Sequence, residues 1–193
     1  IFVQDVYTII DGDRGVNYPK QNDFIKDGYC LFLNTGNVTK EGFKFDDLKF
    51  ISEEKDKELR KGKMERGDVI LTTRGTVGNI AYYNKDIAFN VVRINSGMVI
   101  LRNRCKEIHP LYFCELFKNK EMGRRISSFL SGTAQPQLPI TNLKKIRFPL
   151  PPLSRQNQFA EIVTKIEEQK VLVQKAIDES QYLFDSLMNE YFN

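Results

Sequence analysis

The sequence predicts an α+β protein. A globular domain over residues 1–150 carries a twisted, partly closed β-sheet with short helices, and a long C-terminal α-helix follows over residues 151–193. Three observations support this. Short apolar runs separated by Gly, Asn and Asp turns fill the first two thirds of the chain. The proline-punctuated stretch Phe148-Pro149-Leu150-Pro151-Pro152-Leu153 closes them. From Ser154 to Asn193 there is neither Gly nor Pro, so nothing interrupts a helix.

Each element has a local reason. Residues 29–33 read as a strand, closed by the turn Asn34-Thr35-Gly36-Asn37. Ser52-Glu53-Glu54-Lys55 is a capped start for a charged helix to about Lys63. Gly67-Asp68 opens a strand over residues 69–73, and residues 79–83 read as its hairpin partner. Residues 88–94 and 98–101 are strands flanking the turn Asn95-Ser96-Gly97. His109-Pro110 begins a helix to about Lys118, because proline suits the first turn. Residues 121–130 form a second short helix with Met122, Ile126, Phe129 and Leu130 inward.

In the last helix Phe159, Ile162, Ile166, Val173, Ala176, Leu183 and Leu187 lie on a stripe with alternating steps of three and four residues, Gln169 and Ser180 filling the intervening seam positions. Ile177 and Phe184 continue it on a neighbouring row, so the seam drifts late. About 38 residues at 1.5 Å each reach roughly 57 Å, against a radius of gyration of about 15 Å for a 150-residue body. Such a helix is unstable alone in water and needs a partner. The spacing therefore predicts pairing through Phe159, Ile162, Ile166, Val173, Ile177, Phe184 and Leu187.

Composition narrows the function classes. With 193 residues and 41% hydrophobic content, the chain can build one core plus an appendage. Cys30, Cys105 and Cys114 are far apart and His109 is the sole histidine, so the sequence holds no zinc-type ligand cluster. Unpatterned cysteines fit a reducing cytoplasm, and no run approaches the ~20 apolar residues of a membrane span. Residues 159–193 hold three lysines against seven acids, a net of −4, which leaves +8 on residues 1–158 of a chain whose total is +4. A basic body with an acidic arm is the charge pattern of a DNA-binding domain carrying a protein-binding arm.

Catalytic signatures fail. The chain has no Gly-x-x-x-x-Gly-Lys phosphate loop and no Gly-x-Gly-x-x-Gly turn. Residues 148–153 lack the polar residue that opens the amino-methyltransferase motif. Asp47 with Glu53, Glu54 and Lys55 imitates a nuclease's magnesium-binding acids plus lysine, but within a charge-dense helix start. Loops rich in DNA-type donors are plentiful instead. Arg can take guanine bidentately, Asn and Gln can take adenine, and backbone amides can hold phosphate. The DNA-binding candidates are Arg14, Asn17, Tyr18, Lys20, Asn37, Thr73, Arg74, Gly75, Thr76, Asn79, Asn95, Ser96, Thr133 and Gln135, with Arg93 opening one of the loops.

Several of these segments share an order with a known family. They are Asp11-Gly12-Asp13-Arg14-Gly15-Val16-Asn17-Tyr18-Pro19, residues 67–79, Ile94-Asn95-Ser96-Gly97-Met98-Val99, and Ser131-Gly132-Thr133-Ala134-Gln135-Pro136-Gln137-Leu138. Pro149-Leu150-Pro151-Pro152-Leu153 then leads into the long helix, with Gln156 near its start. The chain resembles the specificity (S) subunits of Type I restriction–modification enzymes over nearly its whole length. The resemblance implies a non-catalytic target-recognition domain, residues 1–150, and a helical spacer, residues 151–193. It implies one part of a split double-stranded DNA target, with methyltransferase and restriction subunits as partners. S-adenosylmethionine, magnesium and ATP would belong to those partners, and this chain would hold no cofactor. A full S subunit has two such domains and two antiparallel helices, so the chain looks like half of one, and a homodimer would complete it. The alternatives are the recognition half of a fused restriction–methylation enzyme, or a nuclease.

Overall fold

The structure, a computed structural model, describes residues 1–132 and 134–192. The chain divides into two compact units, Ile1–Pro151 and Pro152–Asn193.

The first unit begins with a one-turn helix α1 (Val3–Val6) that runs directly into strand β1 (Tyr7–Asp11). Six further strands follow: β2 (Cys30–Leu33), β3 (Phe50–Ile51), β4 (Val69–Thr72), β5 (Ile80–Tyr82), β6 (Val92–Ile94) and β7 (Met98–Asn103). Helix α2 (Glu53–Glu58) lies between β3 and β4; α3 (Pro110–Lys118), α4 (Lys120–Ser128) and α5 (Ile140–Leu143) come after β7. The strands make two open sheets rather than one partly closed sheet. The first has the order β1-β7-β4-β5 and is antiparallel throughout, with Ile9 opposite Leu101, Ile70 opposite Ile100 and Leu71 opposite Ile80. The second has the order β3-β2-β6, with β2 and β6 parallel.

The period-two side-chain alternation of a strand stacks these parts. Val69, Leu71, Ile80, Val99 and Leu101 point to one face of the first sheet and pack with Phe113, Phe117, Met122 and Ile126 of α3 and α4. Ile70, Ala81, Met98 and Ile100 point to the other face and pack with Leu31, Leu33, Val92 and Ile94 of the second sheet. Cys30, Phe32 and Ile51 use the far side of the second sheet, against Leu59. The first sheet is therefore an inner layer covered on both faces, which is why Val69-Ile70-Leu71-Thr72 is buried along its whole length.

The helix caps follow the sequence. Ser52 accepts a hydrogen bond from the Lys55 amide and starts α2. His109 Nδ1 accepts from the Leu111 amide, with Pro110 in the first turn of α3. Burial holds the His109 imidazole below the usual histidine range.

The strands that flank the turn Asn95-Ser96-Gly97, β6 and β7, belong to different sheets, and the turn carries the chain between them. One expectation needs correction. The charged helix at Ser52 stops at Glu58, because Leu59 is drawn into the core and residues 60–63 run on toward β6.

A buried ion network fixes that segment. The Asp56 carboxylate is almost fully buried and accepts from Arg93 Nε at 2.5 Å and Lys63 Nζ at 2.5 Å. Arg93 Nη1 also donates to the Lys61 carbonyl, and Nη2 to the carbonyls of Asp56 and Leu59. Arg93, placed by the sequence at the head of a DNA-type loop, is thus a buried structural residue in β6. Burial pushes the Asp56 carboxyl up, but the bonds from Lys63 and Arg93 outweigh it and hold it below the ordinary carboxylate range. Replacing Arg93 with Met should cost about 3–5 kcal/mol, because Asp56 loses its main buried partner. Urea unfolding measures this, and a loss below about 1 kcal/mol would show that the network carries little of the fold.

Candidate nucleic-acid interface

Loops distant in sequence meet around one turn. The Gly97 carbonyl accepts from the Thr73 amide at 2.8 Å, the Arg74 amide at 3.1 Å and Thr73 Oγ1 at 3.1 Å. The Leu138 amide donates to the Thr73 carbonyl, which joins the segment after residue 131 to the end of β4. Arg14 Nη2 donates to the Ser96 carbonyl and pairs with Asp11. Asn95 Oδ1 accepts from the Gly97 amide and shapes the turn itself. The approaches are close enough to demand glycine. A Cβ on Gly12 would stand 2.1 Å from the Asn95 carbonyl oxygen, and one on Gly97 would stand 2.7 Å from Thr35 Cγ2. Gly75 and Gly78, with φ of +70° and +96°, hold the loop after β4 in the left-handed region.

A pocket of about 330 Å³ opens where two of these loops meet, lined by Arg74, Gly75, Ala134, Gln135, Pro136 and Gln137. Arg74 is half-buried, and its guanidinium makes no hydrogen bond or ion pair among the described residues. A guanidinium carries five N–H donors in a fixed fork and no acceptor. Here they line a pocket beside the two glutamines. Donors of this kind match the base edges and phosphates of a nucleic acid.

The remaining sequence candidates divide. Arg14, Asn95, Ser96, Thr73, Arg74 and Gly75 belong to the cluster around Gly97, and Thr76 is exposed on the adjoining loop. Gln135 reaches the cluster through the pocket. Thr73 is buried, its hydroxyl bound to Gly97, so it positions the loop and faces no solvent. Asn37 is buried as well. Its Oδ1 accepts from the Asn34 amide and its Nδ2 donates to the carbonyls of Lys44 and Asp47, so its side chain is spent inside its own loop. Asn79 Nδ2 is spent on the Val38 carbonyl, which ties the loop after β4 to the loop after β2. Asn17 donates to the Glu58 carbonyl, and Tyr18 packs edge-on against Phe32 on the far side of the second sheet. Lys20 is exposed at the start of the 3-10 turn Gln21–Asp23. No hydrogen bond or ring contact among the described residues joins these last three to Gly97. Thr133 lies outside the described residues. Sequence reasoning missed Thr35 and Gln137; the signal for Gln137 was its place in Gln135-Pro136-Gln137.

The first loop is held by one carboxylate. Asp13 is buried and accepts from the amides of Gly15 at 2.6 Å, Arg60 at 2.7 Å and Lys61 at 3.2 Å. Burial raises its pKa, but the three amides outweigh burial and hold it below the ordinary range. The acids of the nuclease reading do not converge. Glu53 pairs with Lys57, and among the described residues no three acidic, histidine or cysteine side chains are grouped to hold a metal ion.

The family described as the Type I restriction modification DNA specificity domain matches residues 1–180. The chain belongs to that family. Among relatives of this specificity-domain protein, the Type I restriction enzyme EcoBI specificity subunit of Escherichia coli is 27% identical over 166 residues, covering 83% of this chain and 33% of the relative. A putative Type I restriction enzyme MjaX specificity subunit of Methanocaldococcus jannaschii is 24% identical over 151 residues, covering 75% of this chain and 35% of the relative. In fold the chain is similar to the HsdS subunit of Thermoanaerobacter tengcongensis, with a TM-score of 0.62 at 20% identity over 91% of this chain and 39% of that one. It is also similar to the S subunit of M. genitalium, with a TM-score of 0.62 at 17% identity over 100% of this chain and 45% of that one. The specificity-domain chain thus spans about a third of the curated relatives it matches and less than half of these solved chains.

The geometry around Gly12 makes a direct prediction. Gly12→Ala places a carbon inside the Asn95 carbonyl and should cost about 1–3 kcal/mol in denaturant unfolding. Gly123→Ala, where the added carbon meets nothing within 4 Å on helix α4, should instead stabilise by up to ~1 kcal/mol. Equal effects of the two changes would show that the loops are not locked together at Gly12.

Proposed function

We propose that residues 1–151 read double-stranded DNA sequence through the loops gathered around Gly97, as one recognition domain of a Type I restriction–modification specificity subunit. The observation that carries this reading is the unpartnered Arg74 guanidinium in a pocket shared with Gln135 and Gln137. Membership of the specificity-domain family supports it. On this reading Arg74 takes guanine, or a phosphate beside it, and Gln135 and Asn95 offer amide donors and acceptors to neighbouring bases. The chain performs no chemistry. Methyltransferase subunits would supply the S-adenosylmethionine reaction, and a restriction subunit the cleavage that needs magnesium and ATP. The assembly would work in the cytoplasm; among the described residues no helix is long and apolar enough to cross a membrane.

The second unit consists of helix α6 (Leu153–Phe192). Phe159, Ile162, Ile166, Val173, Ile177, Phe184 and Leu187 are all exposed on it, at 40–58% of their full area. In the reading proposed, this stripe pairs antiparallel with another helix of its kind, which for the isolated 193-residue chain is a second copy. Two-fold pairing would present two recognition domains to a split, palindromic site.

Arg74→Ala should weaken binding by about 1–3 kcal/mol and relax the preference at one base pair if Arg74 reads guanine. A uniform loss across sequences with a shallower salt dependence would assign it to phosphate instead. Unchanged affinity for every duplex in a binding selection would overturn both roles. For the helix, Ile166→Asp with Val173→Asp should convert a dimer to a monomer in sedimentation, since a buried, unpaired carboxylate costs several kcal/mol. A parent chain that is monomeric at micromolar concentration would overturn the pairing.

A further inference from the structure

A run of positive charge flanks the loop that carries Gln135 and Gln137. Residues 118–147 contain seven lysines and arginines and one acid, Glu121. Two of the cations are neutralised: Lys118 pairs with Glu115, and Arg125 with Glu121. Lys120, Arg124, Lys144 and Lys145 are exposed and have no carboxylate partner among the described residues. Arg147 lies over the Phe2 ring at 5.3 Å.

The fold gathers these charges. Asn142 Nδ2 donates to the Phe129 carbonyl at 2.8 Å, which fastens α5 to the end of α4. Arg125 Nη1 reaches the Arg147 carbonyl at 3.4 Å. Like charges drawn together destabilise a free surface, and the single acid among them, Glu121, is taken up by Arg125, so the arrangement favours an anion that bridges them. The loop between α4 and α5 is the one that supplies Gln135 and Gln137 to the pocket. Its two ends are joined by the antiparallel bridge of Ser131 with Gln137. The unpaired cations therefore stand on both stems of a reading loop: Lys120 and Arg124 on the helix before it, Lys144 and Lys145 just after the helix that follows.

We propose that Lys120, Arg124, Lys144 and Lys145 form a ledge that grips DNA phosphates on either side of the pocket, setting its register without reading bases. This rests on the DNA-reading function proposed above. A polyanion fits better than a single small anion, because the charges are spread over helix α4 and the segment just after α5, on either side of the loop. An acidic protein surface is the competing occupant.

The test uses the full chain and two probes: a duplex that the chain selects from a random-sequence pool, and a scrambled duplex of equal length. Lys144→Gln with Lys145→Gln should weaken both probes by the same factor. It should also make the slope of log affinity against log salt shallower by about 2, since each lost phosphate contact removes about 0.9. Lys120→Gln with Arg124→Gln should do the same, and the selectivity ratio between the probes should hold. Thermal melts matching the parent establish that the exposed substitutions leave the fold intact. Unchanged slopes in a parent that still selects a duplex would overturn the ledge and leave the reading function standing. A parent that selects no duplex would overturn both. A changed selectivity ratio would mean that these residues read bases, and loss of self-association without loss of DNA affinity would assign the ledge to protein; either result overturns the proposal.

Discussion

One carbonyl group organises the candidate recognition end of this molecule. Gly97 O takes three hydrogen bonds from Thr73 and Arg74, and a side chain on Gly97 would displace the Thr35 methyl packed beside it. The turn it belongs to bridges two sheets that are not hydrogen-bonded to each other. Fixing that turn fixes the end of β4 in the first sheet relative to the end of β6 in the second. The loops at both ends then inherit the rigidity of two packed sheets. This suits recognition, since loops already held in place lose less conformational freedom on binding.

The second requirement is that polar chain segments be held without secondary structure. Residues 59–63 have no repetitive hydrogen bonding of their own. Asp13 and Arg93 supply partners to this segment from either side, through the amides of Arg60 and Lys61 and the carbonyls of Leu59 and Lys61. Buried ions of this kind contribute little net stability as a rule, but they fix one geometry because a misplaced charge is costly. Asp13 carries that geometry into the first candidate loop, where it also caps Gly15.

Much of this was legible in the sequence where a residue type has one dominant physical use. The Gly-free and Pro-free run gave α6, Ser52 and His109-Pro110 gave helix starts, and the residue 69–83 hairpin followed from its apolar runs and turn. Residues with two uses were not separable. Asn37 and Arg93 carry the donors expected of DNA contacts, yet both face inward, and only the tertiary partners Lys44, Asp47 and Asp56 decide that. Strand β1 escaped notice because its pairing lies with β7, over ninety residues away, and its own sequence has no turn before it. The change of sheet at Asn95-Ser96-Gly97 was hidden because a turn between apolar runs carries no local mark of the sheet each strand joins. Arg74 was legible as a candidate, but its lack of a hydrogen-bond or ion-pair partner among the described residues is a property of the fold alone.

Amide hydrogen exchange of the full chain, with and without a duplex it has selected, tests the central claim most directly. DNA reading by the gathered loops predicts new protection at residues 12–15, 34–36, 73–79, 95–97 and 131–138, with strands β1, β4 and β7 unchanged at their already slow rates. Protection confined to other surfaces, with the loops around Gly97 exchanging as freely as before, would contradict it.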